Sequence, residues 1–301
     1  MNKNTFQFVI LISLFISHSA KAFNEAELES FHPFAIFGED NRLEPFEAND
    51  IEFKVSRSVA GRFSLDHLIP SGSNYVIQRP TLGKIKCPNI RYAEQMVGPT
   101  CSGFLIKPDV LVTAGHCMDI ESKCTENAWV FGYELKQKGD HSYKSILGSN
   151  VYRCTKILSQ KNALFGDIDY AIIQLDRPVV DRSPLVMDFE TNPLINSKTF
   201  IAGYPSGLPL KITNSGIVQK NDNSYAFDTD LDVFQGNSGS PVFDSLTGKV
   251  LGITSHGHED YRRDGNSSCK IPLICNPGDK CYLSTASRIT NLPEEFKIKV
   301  Y

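Results

Sequence analysis

The chain is short of several features, and each shortage excludes something. It has no long run of lysine and arginine: 31 basic residues stand against 34 acidic ones, a net charge of −3. A dedicated nucleic-acid binder or a polybasic membrane anchor needs the opposite balance. The apolar stretch from Phe6 to Ile16 is too short to cross a bilayer, which takes about 20 residues. No C-x-x-C pair occurs among the eight cysteines, and their spacings resemble neither a zinc finger nor a ribbon. Helical periodicity is scarce, and neither a repeat nor a low-complexity linker is present.

What is there begins with "MNKNTFQFVILISLFISHSAKA", a lysine, a short apolar stretch and Ala20-Lys21-Ala22. This pattern predicts a secretory signal peptide over 1–22, cut after Ala22, with no membrane attachment afterwards. An exported chain meets an oxidising compartment. The even set Cys87, Cys101, Cys117, Cys124, Cys154, Cys269, Cys275 and Cys281 is then expected to form disulfides. Residues 23–35 are acidic and lack a strand pattern, which fits a propeptide or an N-terminal arm.

From about Val55 onward short strands alternate with turns. "CSGFLIKPDVLVTAGHC" is a hairpin around Lys107-Pro108-Asp109, and "DYAIIQLD", "KTFIAGYP" and "SPVFDSLTGKVLGITSHG" continue the pattern. Pro293 is placed to open a short C-terminal helix. So many short strands predict an all-β fold of barrels or sandwiches, with a break near "LDRPVVDRSP" separating two halves.

"QGNSGSPVF" places Ser238 in a small, polar turn. A serine hydroxyl becomes a nucleophile only when a base takes its proton and a third group orients that base. The G-x-S-x-G elbow of α/β hydrolases is excluded, because Ser240 stands at its last position and strands follow. The order histidine, aspartate, serine remains. His116 lies beside Cys117, sixteen positions after Cys101, and a Cys101–Cys117 bridge would staple the histidine loop to its hairpin.

"PTCSGFLI…VTAGHC", "DYAIIQL" and "GNSGSPVF" resemble the three signature blocks of trypsin-like serine proteases of the chymotrypsin fold. "FGEDNR", "AGYP" and "SGIV" are similar to the bacterial glutamyl endopeptidase branch. The resemblance implies two antiparallel six-stranded β-barrels with the active site in the cleft between them. A peptidase domain over 36–301 would hold barrel one at about 50–180 and barrel two at about 184–290. It implies His116 as general base, Asp169 as the orienting acid and Ser238 as nucleophile. Asp169 is preferred to Asp167 because "D-Y-A-I-I" fits the block. The N–H groups of Gly236 and Ser238 would form the oxyanion hole. Ser255, His256 and Gly257 would support the aspartate and pair with substrate backbone.

The chain also departs from that pattern. Asn237 stands where digestive enzymes carry an aspartate that receives a freed N-terminal amine, so that switch is not expected to operate. Asp232, six residues before Ser238, matches the floor of a pocket for Arg or Lys. Thr254 replaces a histidine and Val233 a hydroxyl residue of the glutamate-reading set. His256 and His258 have no evident third ligand, so no metal is expected. The expectation is a secreted, monomeric serine endopeptidase without cofactor, acting on protein or peptide substrates and binding neither nucleic acid nor membrane. Alternatives are a glutamate-preferring endopeptidase and a catalytically silent homologue used as a binding module.

Overall fold

The structure, a computed structural model, describes residues 35–162, 168–256, 259–276 and 278–297. Residues 1–22, where a signal peptide is expected, most of 23–35, Asp167, Gly257, His258 and the His256 side chain lie outside the described residues. No helix among the described residues is long and apolar enough to cross a membrane.

Twelve strands form the frame. In the first half they are β1 (Val59–Ser64), β2 (Cys101–Lys107), β3 (Val110–Thr113), β4 (Asn127–Phe131), β5 (Val151–Lys161) and β6 (Tyr170–Leu175). These close into a barrel in the order β5-β6-β3-β2-β1-β4. In the second half they are β7 (Lys198–Gly203), β8 (Lys211–Lys220), β9 (Ala226–Thr229), β10 (Pro241–Asp244), β11 (Val250–His256) and β12 (Ser284–Arg288). Their order is β7-β10-β11-β12-β9-β8, and β7 also pairs with β8, which closes the second barrel. Every pairing within the two barrels is antiparallel.

Closure needs bends. Along β5 the register against β6 shifts between Cys154 and Lys156 and again between Ile157 and Ser159. Such bulges let one long strand turn a barrel corner. The interiors are filled by large side chains: Trp129 and Phe104 are fully buried in the first half, and Phe200 and Phe243 stack with ring centroids 4.6 Å apart in the second.

Two elements differ from the sequence reading. Val55 lies not in a strand but in α1 (Asp50–Ser56). Its start is fixed by a capping box, in which Asn49 Oδ1 accepts the Glu52 N–H and Glu52 Oε2 accepts the Asn49 N–H. Pro293 opens a short C-terminal helix as expected, but one of 3-10 type, Glu294–Phe296, which follows a separate 3-10 turn at Ile289–Asn291. Pro293 drives Leu292 into an extended conformation, with ψ 147°, and this cuts the run in two.

The N-terminal stretch joins the second half. Ile36–Phe37 pairs in parallel with Ile274–Cys275, and Arg42–Leu43 pairs with β8. Four disulfides staple the loops: Cys87–Cys269, Cys101–Cys117, Cys124–Cys154 and Cys275–Cys281. The first links the two halves across 182 positions.

Candidate active site

His116 sits in a 3-10 turn, Gly115–Met118, just after β3. Three cationic or amide groups hold the carbonyls of this turn. Gln160 Nε2 donates to Gly115 O at 2.9 Å, Lys123 Nζ donates to His116 O at 2.9 Å, and Arg62 donates to Cys117 O. Arg62 is also fixed by Thr100 Oγ1, 2.9 Å from its Nη2. With the Cys101–Cys117 bridge these contacts leave the turn little freedom. Arg62, Lys123 and Gln160 carry no motif in the sequence, since each reaches the turn only through the folded barrel.

Asp169, immediately before β6, is fully buried. Its Oδ2 lies 2.9 Å from His116 Nδ1 and its Oδ1 accepts the His116 backbone N–H at 3.0 Å. Ser255, on β11, donates from Oγ to the same Oδ2 at 2.6 Å. Burial alone would raise the Asp169 pKa. The His116 and Ser255 hydrogen bonds outweigh it and hold the carboxyl below its ordinary value. An ionised, oriented acceptor therefore faces Nδ1 of the imidazole.

Ser238 comes from the opposite barrel, on the turn before β10. Ser102, on β2, crosses the divide: its N–H donates to Ser238 O at 2.8 Å and its Oγ donates to Gly236 O at 2.7 Å. Gly236 has φ +101°, and a Cβ there would collide with Tyr204 O. Gly239 has φ +87°, with no room against Ser102 O. Both positions admit only glycine. No backbone acceptor among the described residues takes the N–H of Gly236 or Ser238. Backbone donors left without a backbone acceptor are what an oxyanion requires.

Ser238 and His116 line one cavity of about 480 Å³ at the barrel junction. Val233, Thr254 and Ser255 also line it. Lys86, Lys270, Tyr261 and Asp260, which sequence reasoning did not single out, line it as well. The disulfide between Cys87 and Cys269 explains how Lys86 arrives there, since each of its cysteines adjoins one of the two lysines. Lys86 Nζ lies 4.1 Å over the Tyr261 ring, and burial together with Lys270 lowers its pKa. Burial raises Asp260 to about 6, against the Gln235 N–H that its Oδ2 accepts at 2.7 Å.

Asp232 does not fit its expected place. It is fully buried, does not line the cavity and has both oxygens committed. Oδ1 accepts the Phe37 N–H and Oδ2 the Asn41 N–H, each at 2.8 Å. Full burial away from the cavity lining keeps a basic side chain of a substrate from reaching it. Asn237 is also buried, and neither polar atom of its side chain has a partner among the described residues. The Ile36 N–H meets Leu273 O instead.

Two antiparallel six-stranded barrels, with a histidine–aspartate pair from one and a serine turn from the other, define the chymotrypsin fold. Residues 101–253 match the trypsin-like peptidase domain family, and the chain belongs to it. A glutamyl endopeptidase of Bacillus licheniformis is 24% identical over 154 residues, covering 50% of this chain and 47% of the relative. The chain thus spans about half the length of that curated relative. A solved glutamyl endopeptidase, 15% identical with a TM-score of 0.52, covers 87% of this chain and 96% of its own. That likeness is one of fold.

Proposed function

We propose that the protein is a secreted serine endopeptidase that cleaves protein or peptide substrates through an acyl-enzyme. The observation that carries this reading is that His116, held by Asp169, lines the same cavity as Ser238. His116 takes the Ser238 proton as Oγ attacks the carbonyl, and Asp169 stabilises the imidazolium that forms. The N–H groups of Gly236 and Ser238 receive the oxyanion, and removing one such donor costs about 3 kcal/mol of transition-state stabilisation. His116 then protonates the leaving amine, and a water hydrolyses the ester by the same route. Ser255 and His256, at the end of β11, serve as the edge on which substrate backbone pairs. Export fits four disulfides and the leading segment, and the enzyme acts as a monomer without cofactor. Fluorophosphonate labelling of the folded protein, abolished in Ser238→Ala, tests the reading. A correctly folded protein that is never labelled overturns it.

The preference for Arg or Lys inferred from Asp232 loses its support, because that carboxylate faces backbone amides. A preference for an acidic side chain before the scissile bond is favoured instead. Lys86 and Lys270 line the cavity together with Glu259 and Asp260, and neither lysine forms an ion pair among the described residues, while burial lifts Asp260 to about 6. Thr254 Oγ1 has no hydrogen-bond partner among them either. Cleavage profiling on a peptide library decides between the two preferences.

A further inference from the structure

Asp232 is a buried carboxylate that the proposed reaction does not use, and its surroundings give it another task. It precedes Val233, Phe234 and Gln235, the stretch that leads into Gly236 and Ser238. Its two oxygens grip the backbone of the N-terminal stretch at Phe37 and Asn41. The same stretch packs along that wall. Ile36 shares a buried cluster with Phe234 and Tyr261, and the Arg42 guanidinium lies 4.1 Å over the Phe234 ring.

A second buried contact fixes the stretch independently. Lys211, on β8, is fully buried and bonds Glu44 Oε2 at 3.0 Å. A buried ion pair adds little net stability and is costly to mispair, so it selects one register. Residues 36–44 are therefore held on the second barrel in a single setting. Phe234 O in turn accepts the Asn237 N–H at 2.9 Å, which passes that setting to the nucleophile turn.

We propose that Asp232 is a positioning residue, whose grip on the Phe37 and Asn41 N–H groups orders the Val233–Gly236 wall and so presents the oxyanion donors. The inference rests on the endopeptidase reading. It gives the N-terminal stretch a role served by internal amides, with Asn237 left neutral. Asp40 and Arg42 are the charged groups facing the carboxylate; Arg42 is neutralised by Asp40 through contacts of 2.8 and 2.6 Å. Burial lifts the Asp232 pKa to about 7; as pH falls through that value one oxygen takes a proton and turns from acceptor to donor, which breaks one of the two grips even though the buried carboxyl itself favours the neutral form.

The test is fluorophosphonate labelling of the mature protein from pH 5 to 9, for the wild type and for Asp232→Asn. Folding is checked by circular dichroism. In Asp232→Asn one oxygen becomes an NH2 group facing an N–H, so labelling should fall roughly tenfold at pH 8. The wild-type acid limb should be steeper than one proton, and that of Asp232→Asn should follow one. A single-proton limb in the wild type overturns the assignment, even where the variant fails to fold. An equal labelling rate in a folded variant does the same. A folded wild type that is labelled at no pH overturns the endopeptidase reading itself.

Discussion

One carboxylate holds His116 at two points: Asp169 Oδ2 at the ring Nδ1, 2.9 Å away, and Oδ1 at the backbone N–H, 3.0 Å away. The second contact ties the acid to the loop as well as to the ring. Asp169→Asn can keep this geometry while presenting an NH2 group, which forces the wrong imidazole tautomer. The expected loss in kcat is about 10⁴-fold, with the fold retained. Steady-state kinetics beside a thermal melt check it, and a loss below tenfold would remove Asp169 from the reaction.

Ser255 donates to the oxygen that also faces the ring, at 2.6 Å. Ser255→Ala removes one of the groups that hold Asp169 below its ordinary pKa. Its kcat/KM should drop roughly tenfold to a hundredfold, the weight of one hydrogen bond to a charged acceptor. KM should change less than kcat, because the contact acts through the histidine. A change confined to KM would mean that Ser255 touches substrate only.

His116, Asp169 and Ser238 stand out in the sequence because each sits in a short block whose neighbours carry local information. Glycines at 236 and 239 mark positive φ, and apolar runs mark the strands beside the histidine and aspartate. Asp232 was misread for a physical reason. Spacing from Ser238 gives a place along the chain, whereas the direction of the side chain is decided by amides 191 and 195 positions away. Lys86 was invisible for the same cause, since a disulfide spanning 182 positions brings it to the cavity. Helix α1 could have been found, because Asn49 and Glu52 have capping-box spacing.

Lys86 sits on the Tyr261 ring with Lys270 as its like-charged neighbour. Reversing the charge with Lys86→Glu should shift the ratio of acidic to neutral residues accepted before the scissile bond by about tenfold or more against acidic ones. Cleavage of matched peptides differing at that residue measures the ratio. An unchanged ratio would place Lys86 outside the specificity pocket.

Asp260 makes a prediction about stability. Its folded pKa, about 6, lies above the ordinary value of 3.8, so the native state binds the proton more tightly than the unfolded chain. The associated stability is fully present below about 3.8 and is lost as pH rises through about 6, a change of about 2 to 3 kcal/mol. Asp260→Asn keeps an oxygen for the Gln235 N–H without titrating. Urea melts at pH 4.5 and 7.5 should therefore differ by less in the variant than in the wild type. An equal difference in both would show that Asp260 does not carry the effect.

The Cys101–Cys117 bridge closes a span of 16 positions and ends one residue after His116. Chain entropy assigns about 3 kcal/mol to a loop of that size. The Cys101→Ala, Cys117→Ala double variant should lose about that much in a denaturant melt. Position matters in addition to stability, because Gln160, Lys123 and Arg62 would then hold the turn carbonyls without the covalent staple. At a temperature where the variant is fully folded, kcat should still fall, with KM little changed. Full kcat in the folded variant would reduce the bridge to a stabilising staple, and the remaining contacts would suffice to place the base.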